Sequence, residues 1–261
     1  MAKVSQIYDF IDGFAPFRTQ DEWDNSGLLV GEGEWEVKKA LLSLDASIKA
    51  VREAKSLGCR LIITHHPVIF TPLKSLREFD PACLMLINRI AAICCHTNLD
   101  SAEFGVSDMM CEALGFENAH LPIEINRLDP ITGRKVGYGA TGLCEAMTPA
   151  QLAALCKRTF GSVAIKYIEG NRPIRRVGMV SGAGGEFIEQ AAALGMDAYI
   201  TSEIKHHQLL QAESLGITVI DAGHHETEAI AMPYLREKLS PAFPDVEFIL
   251  SAQDFCAKTV Q

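Results

Sequence analysis

Three short runs of β-forming residues in this chain end directly in histidine-rich segments, and this pattern restricts the fold more than any other feature. Residues 61–64 run into His65 and His66, residues 92–95 into His96, and residues 217–220 into the segment 221–228. In an open α/β sheet, ligands bind outside the carboxyl ends of the strands, so side chains that are distant in sequence can converge there. The pattern predicts a metal site with more ligands than one ion needs.

Helical and strand-like patterns alternate along nearly the whole chain. The predicted helices lie near 3–14, 47–57, 80–91, 105–114, 185–194, 204–214 and 227–239, and another begins at the capping box that Thr148, Pro149 and Gln151 would form. The predicted strands are 37–45, the runs ending at His65, His96 and Asp221, and 134–143, 163–168, 175–180, 197–201 and 246–250. Apolar strands alternating with helices predict α/β domains with mostly parallel sheets flanked by helices.

The alternation breaks between about 115 and 135, where Pro122, Pro130 and Gly133 stand among charged residues. Such a stretch is typical of a domain boundary. We therefore predict two interlinked domains. The first comprises residues 1–125 together with 240–261, because the last strand returns to the first sheet. The second comprises residues 126–239.

Composition excludes several classes of protein. A net charge of −9 over 261 residues gives no general attraction to nucleic acid or anionic lipid, although a local basic patch can still exist. The amino terminus lacks the apolar core of a signal peptide, and no 18-residue apolar run occurs, so we expect a cytoplasmic protein without a membrane partner. The eight cysteines show no C-x-x-C spacing, which favours buried thiols over disulfides or a zinc ribbon.

His65 and His66 are adjacent and precede Pro67. Neighbouring strand residues point to opposite sides, so two such histidines bind one ion only if the chain turns between them. They can bind two ions on either side of a turn, and Pro67 favours a turn because it fixes φ and removes a donor. The alternative is a histidine pair that is satisfied by loop carbonyls.

Asp100 closes the segment that begins with His96, just beyond a predicted strand. A carboxylate at this position could bridge two cations, and His96 could bind an ion directly or orient a group that does. The alternative for Asp100 is a helix-capping or turn aspartate.

His224 and Glu228 have the i, i+4 spacing at the start of a predicted helix, so both side chains point the same way. Helices present paired metal ligands at this spacing. His225 and Glu226 fall off that face, and we expect them to be exposed or to hydrogen-bond to the ligands.

Glu203, His206 and His207 begin another helix beyond a strand end, where they could line the same cleft or form a solvated helix start. The turn 181–185 is rich in glycine and could cradle an anion or be an ordinary strand-to-helix turn. It fails the dinucleotide fingerprint, because Phe187 occupies the position of the third glycine.

Together these motifs resemble the NIF-three-like dinuclear metal proteins, which include the GTP cyclohydrolase 1 type 2 homologues. The resemblance covers essentially the whole chain in the right order, and the chain resembles the short form without a long central insertion. It is carried by five segments: Asp24-Asn25-Ser26-Gly27-Leu28-Leu29-Val30-Gly31, Thr64-His65-His66-Pro67, His96-Thr97-Asn98-Leu99-Asp100, the stretch from Thr201 to His207, and Gly223-His224-His225-Glu226-Thr227-Glu228.

The resemblance implies a metal site in the cleft between the two domains and a toroidal homohexamer, a trimer of dimers. It places the metal ligands at His65, His66, Asp100, His224 and Glu228. From their positions after strand ends, Glu203, His207 and His96 are predicted as supporting groups. Two divalent ions would fit this set, and mixed histidine and carboxylate ligation suits zinc, iron, manganese or nickel.

Such a site predicts a hydrolase that acts on a nucleotide-like or phosphoester small molecule, because two ions activate water at neutral pH. The catalytic group would then be this activated water and not a side chain. The alternative is a non-catalytic protein: a metal-storage or metal-chaperone ring, or a regulatory interaction partner.

Overall fold

The computed structural model describes residues 1–119 and 121–252 and shows an α/β protein of two compact units. Its strands are β1 Ala2–Lys3, β2 Gly27–Val30, β3 Glu36–Val37, β4 Lys39–Ser43, β5 Leu61–Thr64, β6 Ala91–Cys94, β7 Glu117–Asn118, β8 Glu124–Leu128, β9 Lys135–Tyr138, β10 Ala140–Met147, β11 Lys166–Ile168, β12 Ile174–Met179, β13 Ala198–Thr201, β14 Thr218–Asp221 and β15 Glu247–Leu250. Its α-helices are α1 Val4–Phe14, α2 Ile48–Leu57, α3 Pro81–Ile87, α4 Thr97–Asp100, α5 Val106–Ala113, α6 Pro149–Phe160, α7 Ile188–Ala193, α8 His206–Leu215, α9 His224–Glu228 and α10 Ala231–Ala242.

Unit 1 is built on a five-stranded sheet in the order β15-β4-β5-β6-β2. The first three pairings of that order are parallel, and only β2 runs antiparallel to its neighbour. Strands β4, β5 and β6 are buried along nearly their whole length, as continuous apolar strands of a covered parallel sheet are. The predicted return of the last strand to the first sheet is confirmed, because β15 pairs with β4.

Unit 2 is built on a six-stranded sheet in the order β11-β14-β13-β12-β10-β7. Its central strands β12, β13 and β14 are parallel, and its outer strands β11, β10 and β7 are antiparallel to their neighbours. The parallel strands are those joined in sequence by α7 and α8, because parallel neighbours require a crossover connection. The prediction of helix-flanked α/β sheets is confirmed, with a mixed second sheet.

Helix α6 begins as the sequence predicts. The Thr148 hydroxyl accepts from the Gln151 backbone N–H at 3.2 Å, and the Gln151 side chain accepts from the Thr148 backbone N–H at 2.8 Å. Pro149 occupies the first helical position, where its missing N–H costs nothing.

The predicted strand 134–143 is wrong as one element, because Gly139 divides it into β9 and β10. Gly139 has a φ of +90°, and a Cβ there would lie 2.8 Å from the Met179 carbonyl oxygen. The chain therefore bends at the only residue type that tolerates this backbone. Strand β9 pairs with β8 in a separate two-stranded sheet, whereas β10 joins the main sheet.

The predicted helix 227–239 is also two elements, α9 and α10. Pro233 stands near the start of α10. A proline ring clashes with the carbonyl four residues earlier, and it offers that carbonyl no N–H. The carbonyl in question belongs to Ala229, so Pro233 disfavours a continuous helix at this point. The break leaves α9 as a short helix that begins at His224.

The chain passes from one compact unit to the other at residues that differ from the predicted domain bounds. Unit 1 contains Met1–Ala102 and the chain from Ala231 to 252, and unit 2 contains Glu103–Ile230. Helix α5 belongs to unit 2 because Met110 and Cys111 are buried in that unit's core. Helix α10 belongs to unit 1 because it packs on β15 and β4.

The thiols of unit 1 and unit 2 are free, and five of them are buried: Cys59, Cys94, Cys95, Cys111 and Cys156. Cys256 lies outside the described residues. Among the helices of residues 1–119 and 121–252, none is long and apolar enough to cross a membrane.

Candidate metal centre

The first cluster of potential ligands, the histidine cluster, consists of His65, His66 and His96 in unit 1. Strands β5 and β6 are parallel neighbours that end in register, with Thr64 opposite Cys94. Both strands therefore deliver the residues that follow them to the same edge of the sheet. One nitrogen from each of the three imidazoles lies within 4.8 Å of the others, a spacing at which they could hold a metal ion.

The chain turns at His65, which lets two adjacent histidines face one space. The backbone N–H groups of His65 and His66 both donate to the Leu44 carbonyl, at 3.2 and 3.0 Å. The Thr64 hydroxyl donates to the His66 carbonyl at 2.8 Å, which closes the turn. The ring centroids of His65 and His66 lie 5.2 Å apart.

His65 and His66 are each oriented through their Nδ1 atom. His65 is fully buried, and its Nδ1 lies 2.7 Å from the Cys95 carbonyl oxygen. The Nδ1 of His66 lies 2.8 Å from Oδ1 of Asp45, which follows strand β4. Carbonyl and carboxylate oxygens only accept, so Nδ1 carries the proton in both rings. In the neutral imidazole, Nε2 then carries the lone pair that a metal requires.

His96 is held in the same way by Asp24. Its Nδ1 lies 2.7 Å from Oδ1 of Asp24. The other oxygen of this buried carboxylate accepts from the Ser26 hydroxyl and from the hydroxyl and backbone N–H of Thr97. Burial opposes ionisation of Asp24, but the hydrogen bond and electrostatic interaction with His96 and the bonds from Thr97 and Asn25 outweigh it and hold the pKa of Asp24 well below its usual range.

Asp100 ends helix α4 and lies next to the histidine cluster. Its Oδ1 is 3.8 Å from Nε2 of His65. That separation is too long for a hydrogen bond. Two ligands of one zinc ion, each about 2.0–2.2 Å from it, are separated by at most about 4.4 Å. Asp100 and His65 could therefore contact the same ion.

The second cluster, the His224–Glu228 pair, lies in unit 2. Helix α9 begins at His224, and its i, i+4 spacing brings Nε2 of His224 to 3.1 Å from Oε2 of Glu228. On the other side of the ring, Nδ1 of His224 lies 2.9 Å from Oε1 of Glu203. Glu228 is almost completely buried, whereas His224 is half-buried.

Glu203 holds its position at the cost of backbone strain. It follows strand β13, and its φ of 54° lies in the left-handed region that non-glycine residues rarely adopt. Strands β13 and β14 are parallel, with Thr201 opposite Asp221, so Glu203 and His224 leave the same edge of the sheet. Arg89 and Phe104 have a similar φ, but Glu203 is the one whose side chain reaches an imidazole of the candidate site.

Gly182, in the glycine-rich turn after β12, lies directly against the His224–Glu228 pair. A Cβ at Gly182 would lie 2.1 Å from Oε1 of Glu228, and its φ is +61°. The backbone N–H groups of Ser181, Gly182 and Gly184 already donate to the hydroxyls of Ser107, Thr227 and Thr201. Because these N–H groups are already bonded, they favour an ordinary strand-to-helix turn over an anion cradle. The same bonds hold the turn in place against the Glu228 side chain.

A comparison with known protein families identifies the family to which this chain belongs. The model of Duf34/NIF3 (NGG1p interacting factor 3) matches residues 2–255. The chain belongs to the Duf34/NIF3 family. The resemblance predicted from the motifs is therefore confirmed.

Curated relatives and solved structures agree with membership of the Duf34/NIF3 family. The chain is 31% identical to a GTP cyclohydrolase 1 type 2 homolog of Clostridium perfringens, over 96% of this chain and 97% of the relative. It is 32% identical to a protein of the same name from Campylobacter jejuni, over 87% of each. A Bacillus cereus protein related to NIF3 shares its fold with a TM-score of 0.91 at 21% identity, over 100% of this chain and 99% of the other.

The structure brings the residues predicted for this NIF3-family chain into two groups. His65, His66, His96 and Asp100 lie together in unit 1, and Glu203, His224 and Glu228 lie together in unit 2. Within the described part of the chain, His207 belongs to neither group and is exposed on α8. The neighbours of the pair on α9, His225 and Glu226, are half-buried.

Sequence reasoning missed Asp45 and gave no role to Asp24, although Asp24 begins one of the segments that carry the resemblance; these two carboxylates orient the histidine cluster. Asp45 follows the first of three parallel strands, β4, just as His66 and His96 follow the next two. The rule about strand ends could have found it. Asp24 gave a weaker signal, because it precedes β2, whose antiparallel pairing with β6 places Gly27 opposite Cys94.

Proposed function

We propose that this chain is a hydrolase that depends on two divalent metal ions. The proposed ligands come from both units: His65, His66, Asp100, His224 and Glu228. His96 and Glu203 are proposed as supporting groups. Three imidazoles and two carboxylates form a donor set that suits zinc, iron, manganese or nickel.

One observation carries this proposal. Four imidazoles, those of His65, His66, His96 and His224, each have Nδ1 bound to a carbonyl or carboxylate oxygen. Histidines that bind metals almost always donate their other ring N–H to such a group, which fixes the tautomer and raises the basicity of the ligand nitrogen. The donors fit a metal centre, and the same orientation in four rings is hard to account for by capping or solvation.

In the proposed mechanism, this chain's own side chains hold and orient the reactive groups. The Cys95 carbonyl and Asp45 fix the rings of His65 and His66, and Glu203 fixes that of His224. Bound divalent ions would polarise a substrate oxygen and lower the pKa of water from about 15.7 to about 7. The half-buried Asp100 carboxylate offsets part of the positive charge.

The proposed substrate is a nucleotide-like or phosphoester small molecule. Relatives from Clostridium perfringens and Clostridium acetobutylicum, 31% and 30% identical to this chain, carry the name GTP cyclohydrolase 1 type 2 homolog, and that name points to a nucleotide. Two cations favour an anionic substrate, because the charges on a phosphate are attracted to the centre.

The test compares ligands with their neighbours on α9. His224→Ala and Glu228→Ala should each lower the metal content and the metal affinity of purified protein. His225→Ala is the matched control, because it removes a half-buried imidazole from the same helix. It should change affinity or activity by about 100-fold at most. If His225→Ala empties the protein while His224→Ala keeps its ions, the proposed ligand set is wrong.

A substrate screen separates the enzyme from a non-catalytic metal-binding protein. Metal-loaded protein is incubated with nucleotides and phosphoesters, and product is compared with that from the Glu228→Ala variant. Turnover that requires Glu228 supports the hydrolase. Tight metal binding without turnover of any substrate supports a storage, chaperone or regulatory role.

We also propose that the chain assembles as a homohexamer, a trimer of dimers, as its family resemblance implies. Light scattering on the purified protein should give about six times the chain mass of 28.5 kDa. A mass equal to one chain over a range of concentrations would contradict this assembly.

A further inference from the structure

Two large aromatic side chains are exposed side by side in unit 1. Trp23 is 58% exposed and Phe70 is 51% exposed. Their ring centroids lie 5.9 Å apart, with the planes tilted by 53°. Exposed apolar groups that stand together often mark a binding site. We refer to these two residues as the aromatic pair.

The aromatic pair borders the histidine cluster through His96. The His96 ring is in a T-shaped arrangement with both members, 5.9 Å from Trp23 and 6.3 Å from Phe70 between centroids. Its centroid also lies 5.2 Å from that of His65 and 5.7 Å from that of His66. A molecule that binds against the aromatic pair would therefore lie close to the imidazoles.

Both members of the aromatic pair are attached to backbone that hydrogen bonds hold in place. The Asn25 side-chain N–H donates to the Ile69 carbonyl at 2.6 Å, and this bond ties the residue before Phe70 to the segment after Trp23. The next residue after Trp23 is Asp24, whose carboxylate is bonded to His96 and Thr97. The position of the pair is thus fixed to that of the histidine cluster.

We infer that Trp23 and Phe70 form a stacking surface for the planar base of a nucleotide. Aromatic faces stack on planar rings, and every nucleobase has such a face. A sugar phosphate offers charge to the metal centre but no ring to the aromatic pair. This inference rests on the proposed function, and it adds the side chains that would distinguish a nucleotide from other phosphate esters.

The test measures the dissociation constants of two probes, GMP and ribose 5-phosphate, by calorimetry on metal-loaded protein. Trp23→Leu removes the ring and keeps apolar bulk, whereas Trp23→Phe keeps a ring. Leu76→Ala controls for the apolar character of the 67–80 loop, because Leu76 is 67% exposed there. Phe70→Leu provides a second, independent removal of a ring.

The inference predicts that Trp23→Leu and Phe70→Leu each weaken GMP binding at least about fivefold, since stacking contributes about 1–3 kcal/mol per base. Ribose 5-phosphate should bind all variants alike, and Trp23→Phe and Leu76→Ala should bind GMP as the unchanged protein does. Equal affinity of the unchanged protein for the two probes would overturn the inference. So would equal weakening of both probes by Trp23→Leu, or a changed molar mass of that variant with unchanged GMP affinity.

The failure of this inference can be told from the failure of the proposed function. The calorimetry reads binding and not turnover, so a ring-dependent affinity for GMP would stand even if no substrate were hydrolysed. Conversely, turnover of a nucleotide that is unaffected by Trp23→Leu and Phe70→Leu would keep the hydrolase and reject the stacking surface.

Discussion

Asp45 illustrates at the residue scale how an orienting carboxylate can set the behaviour of a ligand. Its Oδ1 atom lies 2.8 Å from Nδ1 of His66, and its side chain is partly exposed. Asp45 can therefore be replaced with less risk to the fold than the fully buried Asp24. A substitution at Asp45 therefore tests the orientation of the His66 ring with less disturbance of the packing than a substitution at Asp24.

Replacing Asp45 by alanine should weaken metal binding by about 10- to 100-fold, because the His66 ring loses both its hydrogen-bond acceptor and the charge that raises its basicity. Asp45→Asn keeps an acceptor oxygen, so its metal affinity should lie between that of the unchanged protein and that of Asp45→Ala. Metal affinity is measured by competition with a chromophoric chelator. If Asp45→Ala binds metal as tightly as the unchanged protein, Asp45 does not orient a ligand.

Buried thiols give a second prediction at this scale. Burial in the unit 2 core raises the pKa of Cys156 to about 12 from its ordinary value of 9.0. The thiol of the unfolded chain ionises at the ordinary value while the folded one stays neutral, so this contribution to stability is complete below about pH 9 and is lost as the pH rises towards 12.

The free energy of unfolding should therefore fall above pH 9, with Cys156 contributing about 1.4 kcal/mol per pH unit. Urea unfolding at several alkaline pH values measures this slope. Cys156→Ala should reduce the slope by that amount whatever its effect on stability at neutral pH. An unchanged slope would show that this thiol does not titrate differently in the two states.

At the scale of elements, turns set the geometry of the candidate ligands. Gly182 and Gly161 both have left-handed backbones, with φ of +61° and +72°. A Cβ at Gly182 would meet Glu228, whereas a Cβ at Gly161 would meet nothing within 4 Å. Comparing substitutions at the two glycines therefore distinguishes the effect of backbone strain from that of a steric clash with the His224–Glu228 pair.

Alanine at either glycine should cost about 1–2 kcal/mol of stability, because both force an L-residue into the left-handed region. Only Gly182→Ala should also lower the metal content, because it displaces the Glu228 carboxylate. Thermal unfolding and elemental analysis of both variants test this. Equal metal content in the two variants would mean that the turn does not position Glu228.

The start of α6 gives a prediction about stability alone. Thr148→Ala removes the hydroxyl that accepts from the Gln151 N–H, so it should cost about 1 kcal/mol. Thr148→Ser keeps the hydroxyl and should cost much less. Urea unfolding measures the free energy of unfolding of the two variants. Identical decreases in that free energy would show that the capping hydrogen bond is not what stabilises this helix.

Elements with a strong local signal were predictable from the sequence. The capping box at Thr148 and the apolar strands β5, β6 and β14 are examples, since their formation depends on neighbouring residues and burial. The strand break at Gly139 was harder to predict, because the groups that leave no room for a Cβ there, Ile123 and the Met179 carbonyl, are distant in sequence. The helix break before Pro233 had a local cause and could have been predicted.

The residues of the candidate site likewise divide into those that have a local signal in the sequence and those that have none. Histidines after strand ends were identifiable, because the edge of a parallel sheet gathers the residues that follow each strand. Asp24 could not be identified in this way, since it reaches His96 through the antiparallel pairing of β2 with β6. An antiparallel edge strand leaves no comparable pattern in the sequence.

At the scale of the whole molecule, the chain divides its chemistry between two compact units, each with its own sheet and core. The histidine cluster with Asp100 belongs to unit 1, and the His224–Glu228 pair belongs to unit 2. We propose that these residues together hold two ions in each chain. A single mononuclear site would need only about four ligands, with water among them.

Elemental analysis of the protein, purified without chelator and then saturated with zinc, iron, manganese or nickel in turn, tests this claim most directly. Five protein ligands and two carboxylate charges predict about two ions per chain for at least one of these metals. One ion per chain or fewer, with every metal tried, would contradict the dinuclear centre.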